Sequence, residues 1–405
     1  MDRDQAPQLP EDEFGPDTVL VRGGIRRTPY GETSEAIFLT SGFVYESAAA
    51  AEARFTGDEP GFVYSRYGNP TLEVLETRLA LLEGAEGCHV TASGMSAVFT
   101  ALFSHLRGGD HVVASRALFG SCFVILGTIL PRYGITTTFV DGADLVAWEA
   151  AMRPNTRAVF LETPANPTLD LVDVAAVSKL AHAVGAKVFI DNVFATPLGQ
   201  KPLELGADVV LYSATKHIDG QGRVLGGAVL ADRKFLTDDF LPYYRHTGPA
   251  LSPFNAWVLV KGLETLGLRV ERQVASAHRL AQLVEAHAAA KAVRYPWLES
   301  HPHHELAKRQ MKNGGTLLAF DLGSKASAFA FLDALQLVDI SNNLGDTKSL
   351  ATHPTTTTHR AMEASDRAAM GITEGLVRLS VGLEGIADLE RDLSRGLDAA
   401  RRAGG

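Results

Sequence analysis

The chain has 405 residues, of which 46% are hydrophobic, and a formal net charge of −9 from 38 Lys and Arg against 47 Asp and Glu. This length predicts two or three domains with a large buried core, and it excludes a small fold held together by disulfides or metal. An acidic chain without a run of Lys and Arg lacks the charge that binds phosphate backbones, so nucleic acid is not an expected partner.

The N-terminal residues are acidic and rich in proline, so we expect no signal peptide and a mobile tail to about Asp17. Cys88 and Cys122 both lie in apolar stretches, which favours two buried free thiols in a reducing compartment. The apolar runs end well short of the roughly 18 residues of a membrane span. We therefore expect a cytoplasmic protein that does not bind membranes.

The first half of the chain predicts an arm followed by an α/β domain. Residues 35–55 and the turn at 59–61 belong to the arm, and the spacing of apolar residues predicts a helix at 71–83 that Gly84 ends. Beyond Cys88, short β-branched runs alternate with helix-length segments such as 121–132 and 173–184, which is typical of parallel βαβ units. The predicted strands are 111–114, 135–140, 158–162, 187–191, 209–212 and 228–230.

The second half predicts a smaller α+β domain. Apolar residues recur at helical spacing from Ser252 to about His287, which predicts one long helix between two domains. A strand at 316–320, a helix at 326–337, a polar loop at 341–358, a strand at 376–381 and a helix from Ile386 follow. The predicted organisation is thus an N-terminal arm (1–60), a large domain (61–255) and a small C-terminal domain (256–405).

Ligands of parallel sheets bind at the carboxyl ends of the strands, so chemistry is expected directly after each strand. Lys216 follows the predicted strand 209–212 in the segment Ser213-Ala-Thr215-Lys216-His. The hydroxyls of Ser213 and Thr215 can bond phosphate oxygens, and a partly buried lysine can attack an aldehyde. Most lysines are solvated surface residues, so its place at a strand end is what favours a chemical role.

Two more segments fit the same chemistry. Asp191 ends a predicted apolar strand, where a carboxylate is costly unless it meets a cation such as a protonated heterocyclic nitrogen; a helix cap is the alternative role. Small residues in the segment 91–97 open a helix and leave backbone N–H groups for a phosphate, although a plain strand–turn–helix would look similar. Together the three segments predict a pyridoxal phosphate site.

Two other motifs are interpreted as structural. The segment 220–226 is similar to a dinucleotide fingerprint, but its third glycine is displaced and it runs into a strand, which argues against a nicotinamide oxidoreductase. The cluster at 301–305 contains three histidines, but the residue four after His304 is Lys308, so no zinc-binding helix is formed. We expect a solvated loop there and no metal.

Six segments resemble the Cys/Met-metabolism family of pyridoxal phosphate enzymes, and the match extends from about Val21 to the C-terminus. These segments are Tyr64-Ser-Arg66-Tyr-Gly-Asn-Pro-Thr, Ala92-Ser93-Gly94-Met95-Ser96, Glu162-Thr-Pro-Ala-Asn166-Pro-Thr, Asp191-Asn192, Ser213-Ala-Thr-Lys216-His and Arg378-Leu-Ser-Val-Gly-Leu-Glu384. Within the family, the segments 341–354 and 118–122 are most similar to O-succinylhomoserine sulfhydrylases. The resemblance implies the aspartate aminotransferase-like fold (fold type I): a mostly parallel sheet with flanking helices and a smaller C-terminal α+β domain.

The resemblance also implies a role for each matching residue. Lys216, bonded to the cofactor aldehyde, and Tyr64 are implied as catalytic. Tyr64 and Arg66 would reach the phosphate of a neighbouring subunit, so the active site would belong to a dimer. The resemblance also implies a homotetramer of two such dimers. The implied cofactor-binding residues are Tyr64, Arg66, Gly94, Met95, Phe119, Asp191, Ser213, Thr215 and Lys216. The implied substrate-binding residues are Asn166, Ser341, Lys348 and Arg378.

The implied reaction is the replacement of succinate on Cγ of O-succinylhomoserine by hydrosulfide, which gives homocysteine for methionine synthesis. Lys216 would remove the Cα proton while the protonated ring of the cofactor acts as an electron sink. Alternatives within the family are cystathionine γ-synthase, O-acetylhomoserine sulfhydrylase and methionine γ-lyase. A catalytically idle pyridoxal-binding protein is an alternative of another class, but Lys216, Asp191 and Arg378 are all intact.

Three positions bear on the choice among these activities. Phe119 stands where a tyrosine usually stacks on the cofactor, so stacking remains but no phenol can move a proton. Ser121 stands where many methionine γ-lyases carry a reactive cysteine, which argues modestly against a lyase. Lys348 stands where relatives that handle cystathionine typically carry a glutamate, so we expect it to repel the ammonium of cysteine; a solvated loop lysine is the alternative.

Overall fold

The computed structural model describes residues 14–404, so most of the expected mobile tail lies outside the described residues. The strands are β1 (Gly87–Thr91), β2 (His111–Ser115), β3 (Thr136–Val140), β4 (Thr156–Glu162), β5 (Lys187–Asp191), β6 (Val209–Tyr212), β7 (Gly227–Ala231), β8 (Ala292–Arg294), β9 (Leu317–Asp321), β10 (Asp339–Ile340), β11 (Leu350–Thr352) and β12 (Leu376–Ser380). The α-helices are α1 (Pro16–Arg22), α2 (Ala48–Thr56), α3 (Pro70–Glu83), α4 (Gly94–His105), α5 (Gly120–Val124), α6 (Leu145–Ala151), α7 (Val174–Ala183), α8 (Thr196–Gly199), α9 (Leu241–Thr247), α10 (Pro253–Leu263), α11 (Leu266–Glu285), α12 (His304–Gln310), α13 (Lys325–Ala334), α14 (Ala364–Ala369) and α15 (Ile386–Gly404).

The first compact unit comprises the described residues up to His105 together with 212–219 and 223–265. Its strands β1 and β7 pair antiparallel, with Thr91 opposite Gly227. Helix α3 confirms the helix predicted from the apolar spacing. Asn69 Oδ1 accepts the N–H of Thr71 at 2.9 Å at its start, and Gly84 ends it with a φ of 80°.

The second unit comprises residues 106–211, 220–222 and 266–404, and it contains the parallel strands. These strands lie in the order β6, β5, β4, β2, β3, and every neighbouring pair is parallel. The register places Glu162 opposite Asp191, so two carboxylates lie at the carboxyl ends of adjacent strands. Apolar side chains of the strands pack with Trp148 of α6 and Val177 of α7 in one buried cluster.

The C-terminal part of the second unit forms a five-stranded sheet in the order β10, β11, β12, β9, β8. It is antiparallel except for the parallel pair β10 and β11. Helices α11, α13 and α15 share its core, through residues such as Leu280, Phe331 and Leu393. The predicted fold class, a mostly parallel sheet with flanking helices and a smaller α+β part, is confirmed. The boundaries 1–60, 61–255 and 256–405 stay a prediction.

Three predicted elements are wrong in detail. The helix predicted from 252 to 287 is two helices, α10 and α11, with a break at Glu264 and Thr265 where glycines at 262 and 267 weaken helix formation. The helix predicted at 121–132 holds α-helical geometry only to Val124, and a π-helical turn and a 3-10 turn follow. The predicted loop 341–358 contains strand β11, because its buried residues pair with β12.

The structure corrects two further expectations, the end of the N-terminal tail and the solvated histidine loop. Asp17, placed in the tail by sequence, lies in the first turn of α1. His301 is only 3% exposed, and His303 Nδ1 accepts the N–H of Leu171 at 3.0 Å, so the histidine cluster is not a solvated loop. Among residues 14–404, no group of His, Cys, Asp and Glu is arranged to hold a metal.

Cys88 and Cys122 are buried free thiols, as predicted. No helix in the described range is both long and apolar enough to cross a membrane.

Candidate active site

The predicted site residues fall into two sets, one in each unit, and the first set forms a possible phosphate cradle. Gly94 begins helix α4, where the first N–H groups of a helix have no partner within the helix. A Cβ at Gly94 would lie 2.6 Å from Ser213 Cβ and 2.9 Å from Ser213 Oγ, so only glycine allows this approach. The approach brings the hydroxyl of Ser213 to the start of the helix that also carries Met95. Backbone N–H groups and a hydroxyl thus converge where a phosphate would bind.

Lys216 lies in a tight turn directly after strand β6. Its backbone N–H donates to Ser213 O at 3.1 Å. The hydroxyl of Thr215 lies 3.2 Å from Gly226 O and 3.1 Å from Gly226 N, so it joins this turn to the residue before β7. The turn therefore holds the lysine at the end of the strand, as the sequence predicted, and its side chain is partly buried.

Tyr64 and Arg66 lie in the first unit, on the segment that leads into α3. The guanidinium of Arg66 stacks over Tyr64 and Tyr67, at 5.4 and 4.8 Å from the ring centroids, and donates to Arg245 O. Tyr64 is 42% exposed. An aromatic side chain and a guanidinium are thus held together on a partly exposed segment.

The second set centres on a buried arginine. Arg378, on β12, is only 1% exposed, and its Nη1 donates to Asn166 Oδ1 at 2.8 Å. Its Nη2 donates to the carbonyls of Asn342 and Asn343 at 2.9 and 3.2 Å. Burial lowers the pKa of Arg378 to about 10, and the carboxylate of Glu162 opposes this shift. Its Nε is buried and has no hydrogen-bond partner among the described residues, so the guanidinium retains a donor for a ligand.

Two neighbouring carboxylates lie at the ends of β4 and β5, and one of them, Glu162, interacts with this arginine. Asp191 Oδ1 accepts the N–H of Val193 at 3.0 Å in the turn that follows β5; the next helix, α8, begins after Ala195 and has no side-chain cap, so Asp191 does not cap a helix. Glu162 is fully buried, and burial followed by repulsion from Asp191 raises the pKa of its carboxyl well above the usual range. A cation beside Asp191, such as a protonated pyridine nitrogen, would relieve this repulsion.

Ser341 and Lys348 lie on the segment between β10 and β11. Ser341 Oγ accepts the N–H of Asn343, whose carbonyl accepts from Arg378, so this segment holds the arginine; substrate binding by Ser341 stays a prediction. Lys348 forms an ion pair with Asp346 at 2.8 Å and is 58% exposed. This pair raises the pKa of Lys348 and lowers the pKa of Asp346 against the effect of burial. Lys348 is therefore not an isolated positive charge, which reduces the repulsion expected from the sequence.

Sequence reasoning missed two residues beside Arg378. Glu162 was quoted within a motif but given no role; its place at a predicted strand end, like that of Asp191, was the available signal. His359 is buried, and its Nε2 has no partner among the described residues. Burial lowers the pKa of His359 to about 4, with Arg378 adding to the shift, so it is neutral near pH 7. Nothing in the Thr-rich segment that precedes His359 indicated that this side chain is buried near Arg378.

Each set by itself offers groups that suit a part of pyridoxal phosphate or of an amino-acid substrate. The cradle at Gly94 has room for no Cβ and offers N–H and hydroxyl groups to a phosphate. Asp191 can pair with a protonated ring nitrogen, and Lys216 can bond an aldehyde. Arg378 retains a buried donor suited to an amino-acid carboxylate. The fold and these side chains define the class of fold-type I pyridoxal phosphate enzymes.

The chain belongs to the family of Cys/Met metabolism PLP-dependent enzymes, whose model matches residues 17–398. It is 57% identical to an O-succinylhomoserine sulfhydrylase of Mycobacterium tuberculosis over 97% of this chain and 98% of the relative. It is 50% identical to an O-succinylhomoserine sulfhydrylase of Pseudomonas aeruginosa over 95% of each chain. A proposed O-acetylhomoserine (thiol)-lyase from Campylobacter jejuni, solved with N′-pyridoxyl-lysine-5′-monophosphate, superposes with a TM-score of 0.92 at 31% identity, over 95% of this chain and 100% of its own.

Proposed function

We propose that this chain is an O-succinylhomoserine sulfhydrylase that uses pyridoxal phosphate to replace succinate by hydrosulfide and form homocysteine. The observation that carries the proposal is full-length similarity to two relatives of that name, at 57% and 50% identity. The site supports an amino-acid substrate, because the buried Arg378 and Asn166 offer a guanidinium and an amide to its α-carboxylate.

Four side chains have separate roles in the proposed reaction. Arg378 and Asn166 bind the α-carboxylate and so orient the Cα–H bond of the substrate. When bound, pyridoxal phosphate withdraws electrons from Cα, which makes its proton acidic. Lys216 Nζ, freed when the amino group of the substrate takes its place at the cofactor aldehyde, would accept the Cα proton, and a proton would next leave Cβ. Succinate would then leave Cγ with the electron pair of the C–O bond, hydrosulfide would form the C–S bond there, and protons would return to Cβ and Cα. Phe119 would pack its ring against the bound cofactor and, lacking a hydroxyl, could take no part in these proton transfers.

Tyr64 and Arg66 are proposed to act on the phosphate of a neighbouring subunit, within a homotetramer of two active dimers. Their accessible position on one segment supports this assignment. We also propose a cytoplasmic location, which the two buried free thiols favour. Mixed dimers of Lys216→Ala and Arg66→Ala chains should regain activity, because one site in each mixed dimer has both residues. No recovery after proven subunit exchange would refute the cross-subunit role.

The activity is tested by steady-state assays of O-succinylhomoserine and O-acetylhomoserine, each with sulfide and with cysteine. We expect kcat/KM for O-succinylhomoserine with sulfide to exceed that of each other pair at least tenfold. Lys216→Ala should abolish turnover, whereas Lys234→Ala, at a side chain that is 84% exposed, should not change it. Faster release of methanethiol from methionine than formation of homocysteine would instead identify a γ-lyase.

A further inference from the structure

One buried carboxylate connects two parts of the candidate site. Glu162 ends strand β4, and its Oε2 accepts the backbone N–H of Phe119 at 2.7 Å. Its Oε1 accepts the backbone N–H of Asn166 at 2.9 Å. Both oxygens are therefore used as acceptors, and a single side chain holds the residue proposed to face the cofactor ring and the residue proposed to bind substrate.

Asn166 links Glu162 to Arg378 through two hydrogen bonds. Because Glu162 fixes the backbone of Asn166, the side chain of Asn166 projects from a fixed point, and its Oδ1 accepts from Arg378 Nη1 at 2.8 Å. The carbonyls of Asn342 and Asn343 hold the other terminal nitrogen. Release of Asn166 would therefore remove one of the two anchors that orient the guanidinium.

The surroundings of Glu162 act on its ionisation in opposite directions. Burial and then Asp191 on β5 disfavour an ionised Glu162, Arg378 on β12 favours it, and Cys122 on α5 is a third titratable neighbour. A cation paired with Asp191 would therefore favour the ionised form of Glu162. An ionised carboxylate makes stronger hydrogen bonds to backbone N–H groups than a neutral one does. Cofactor binding near Asp191 would thus tighten the hold on Phe119 and Asn166.

We propose that Glu162 is a positioning residue for substrate binding, which sets Phe119 and Asn166 and, through Asn166, the guanidinium of Arg378. This inference rests on the proposed function only in taking Asn166 and Arg378 as the carboxylate site. Glutamine cannot substitute, because its amide offers one acceptor oxygen and turns an NH₂ donor toward a backbone N–H.

The first test replaces Glu162 by glutamine in the holoenzyme. We expect the backbone amides of Phe119 and Asn166 to exchange hydrogen at least tenfold faster, measured by mass spectrometry of the peptides that contain them. We expect KM for O-succinylhomoserine to rise at least tenfold while kcat stays within threefold. The dissociation constant of the apoprotein for pyridoxal phosphate should rise less than KM does, because the phosphate cradle is unchanged and only the hold on Phe119 is loosened.

Asp392→Asn is the matched control. Asp392 is a buried carboxylate that accepts the backbone N–H groups of Gln336, Leu337 and Val338 at 2.9 to 3.0 Å, so its amide creates the same kind of defect elsewhere in the fold. This variant should lower the midpoint of thermal unfolding. It should leave KM and the exchange of the Phe119 and Asn166 amides unchanged, which separates positioning from general stability.

A double-mutant cycle tests the route through Asn166. Added to Asn166→Ala, Glu162→Gln should raise KM less than twofold further, because the side chain that links Glu162 to Arg378 is gone. If the KM of the double variant rose by the product of the two single effects, the proposal would be overturned. Unchanged amide exchange in folded Glu162→Gln protein would also overturn it. If glutamine prevents folding, Glu162→Asp retains two acceptor oxygens on a shorter side chain and should raise KM two- to tenfold; an unchanged KM would overturn the proposal equally.

Failure of the proposed function gives a different result. A wild-type protein that does not convert O-succinylhomoserine would refute the sulfhydrylase assignment alone. The amide exchange measurement, and KM for L-methionine as the alternative amino acid, would then still decide the role of Glu162.

Discussion

Replacing Arg378 by lysine would test how this site recognises an amino-acid carboxylate. The guanidinium is buried, its Nη1 and Nη2 bind Asn166 and two backbone carbonyls, and its Nε lacks a partner among the described residues. Lysine keeps the positive charge but cannot reproduce a planar fork of donors. The change therefore tests geometry at constant charge.

The hydrogen bonds of Arg378 set the expected decrease in kcat/KM. An ammonium in place of the guanidinium would forfeit at least one charge-assisted hydrogen bond to the substrate or to Asn166, which contributes roughly 1.5–3 kcal/mol. At about 1.4 kcal/mol per tenfold, kcat/KM for O-succinylhomoserine should fall roughly 10- to 150-fold. Cofactor affinity should be unchanged, because the phosphate cradle at Gly94 and Ser213 is unaltered.

The assay is steady-state kinetics with O-succinylhomoserine and sulfide, with cofactor titration of the apoprotein in parallel. Arg279→Lys is the control, because Arg279 forms an exposed ion pair with Glu390 and should tolerate lysine without a kinetic change. A kcat/KM of Arg378→Lys within threefold of wild type would refute the assignment of Arg378 to the substrate carboxylate.

Three more predictions follow from the geometry. Gly94→Ala places a Cβ 2.6 Å from Ser213 Cβ, so the dissociation constant for pyridoxal phosphate, measured by absorbance titration, should rise at least tenfold; an unchanged value would remove the cradle from the site. Lys348→Glu should raise the ratio of cystathionine to homocysteine, but only severalfold because Lys348 is exposed and paired with Asp346; the rise should fade with added salt, and a constant ratio would exclude Lys348. Burial lowers the pKa of His301 to about 3, so the unfolded chain binds its proton first, and acidification from pH 7 to 5 should destabilise the fold by about 2 kcal/mol through this group. His301→Gln should reduce the acid-induced drop in thermal midpoint, and an equal drop would show that His301 does not titrate this way.

Much of the chemistry of the candidate site was predictable from sequence, because the residues that would carry it directly follow or end predicted strands. The segment Ser213-Ala-Thr-Lys216 follows directly after one predicted strand, and Asp191 ends another. The local sequence pattern alone therefore places a lysine and a carboxylate at the carboxyl ends of parallel strands. The helix at 70–83 was predictable for the same reason, since its cap and its terminating glycine lie beside it in the chain.

Other features depended on contacts that no local pattern contains. The predicted helix over 252–287 had suitable spacing throughout, yet it breaks where the chain passes from one compact unit to the other. His301 looked like part of a polar loop, but packing buries it. Local polarity cannot report burial when the covering residues come from a distant part of the chain.

The amino-acid sequence by itself determined the fold class, the family, the cofactor and the residues that flank each strand end, because periodicity and neighbouring residue types specify them. Only the tertiary structure decided how those residues are oriented. Arg378 bonds Asn166, which is 212 positions away in the chain, and Glu162 bonds the backbone of Phe119, which is 43 positions away. Hydrogen-bond geometry and charge pairing depend on distances of a few ångströms, and those distances are set by packing of the whole unit.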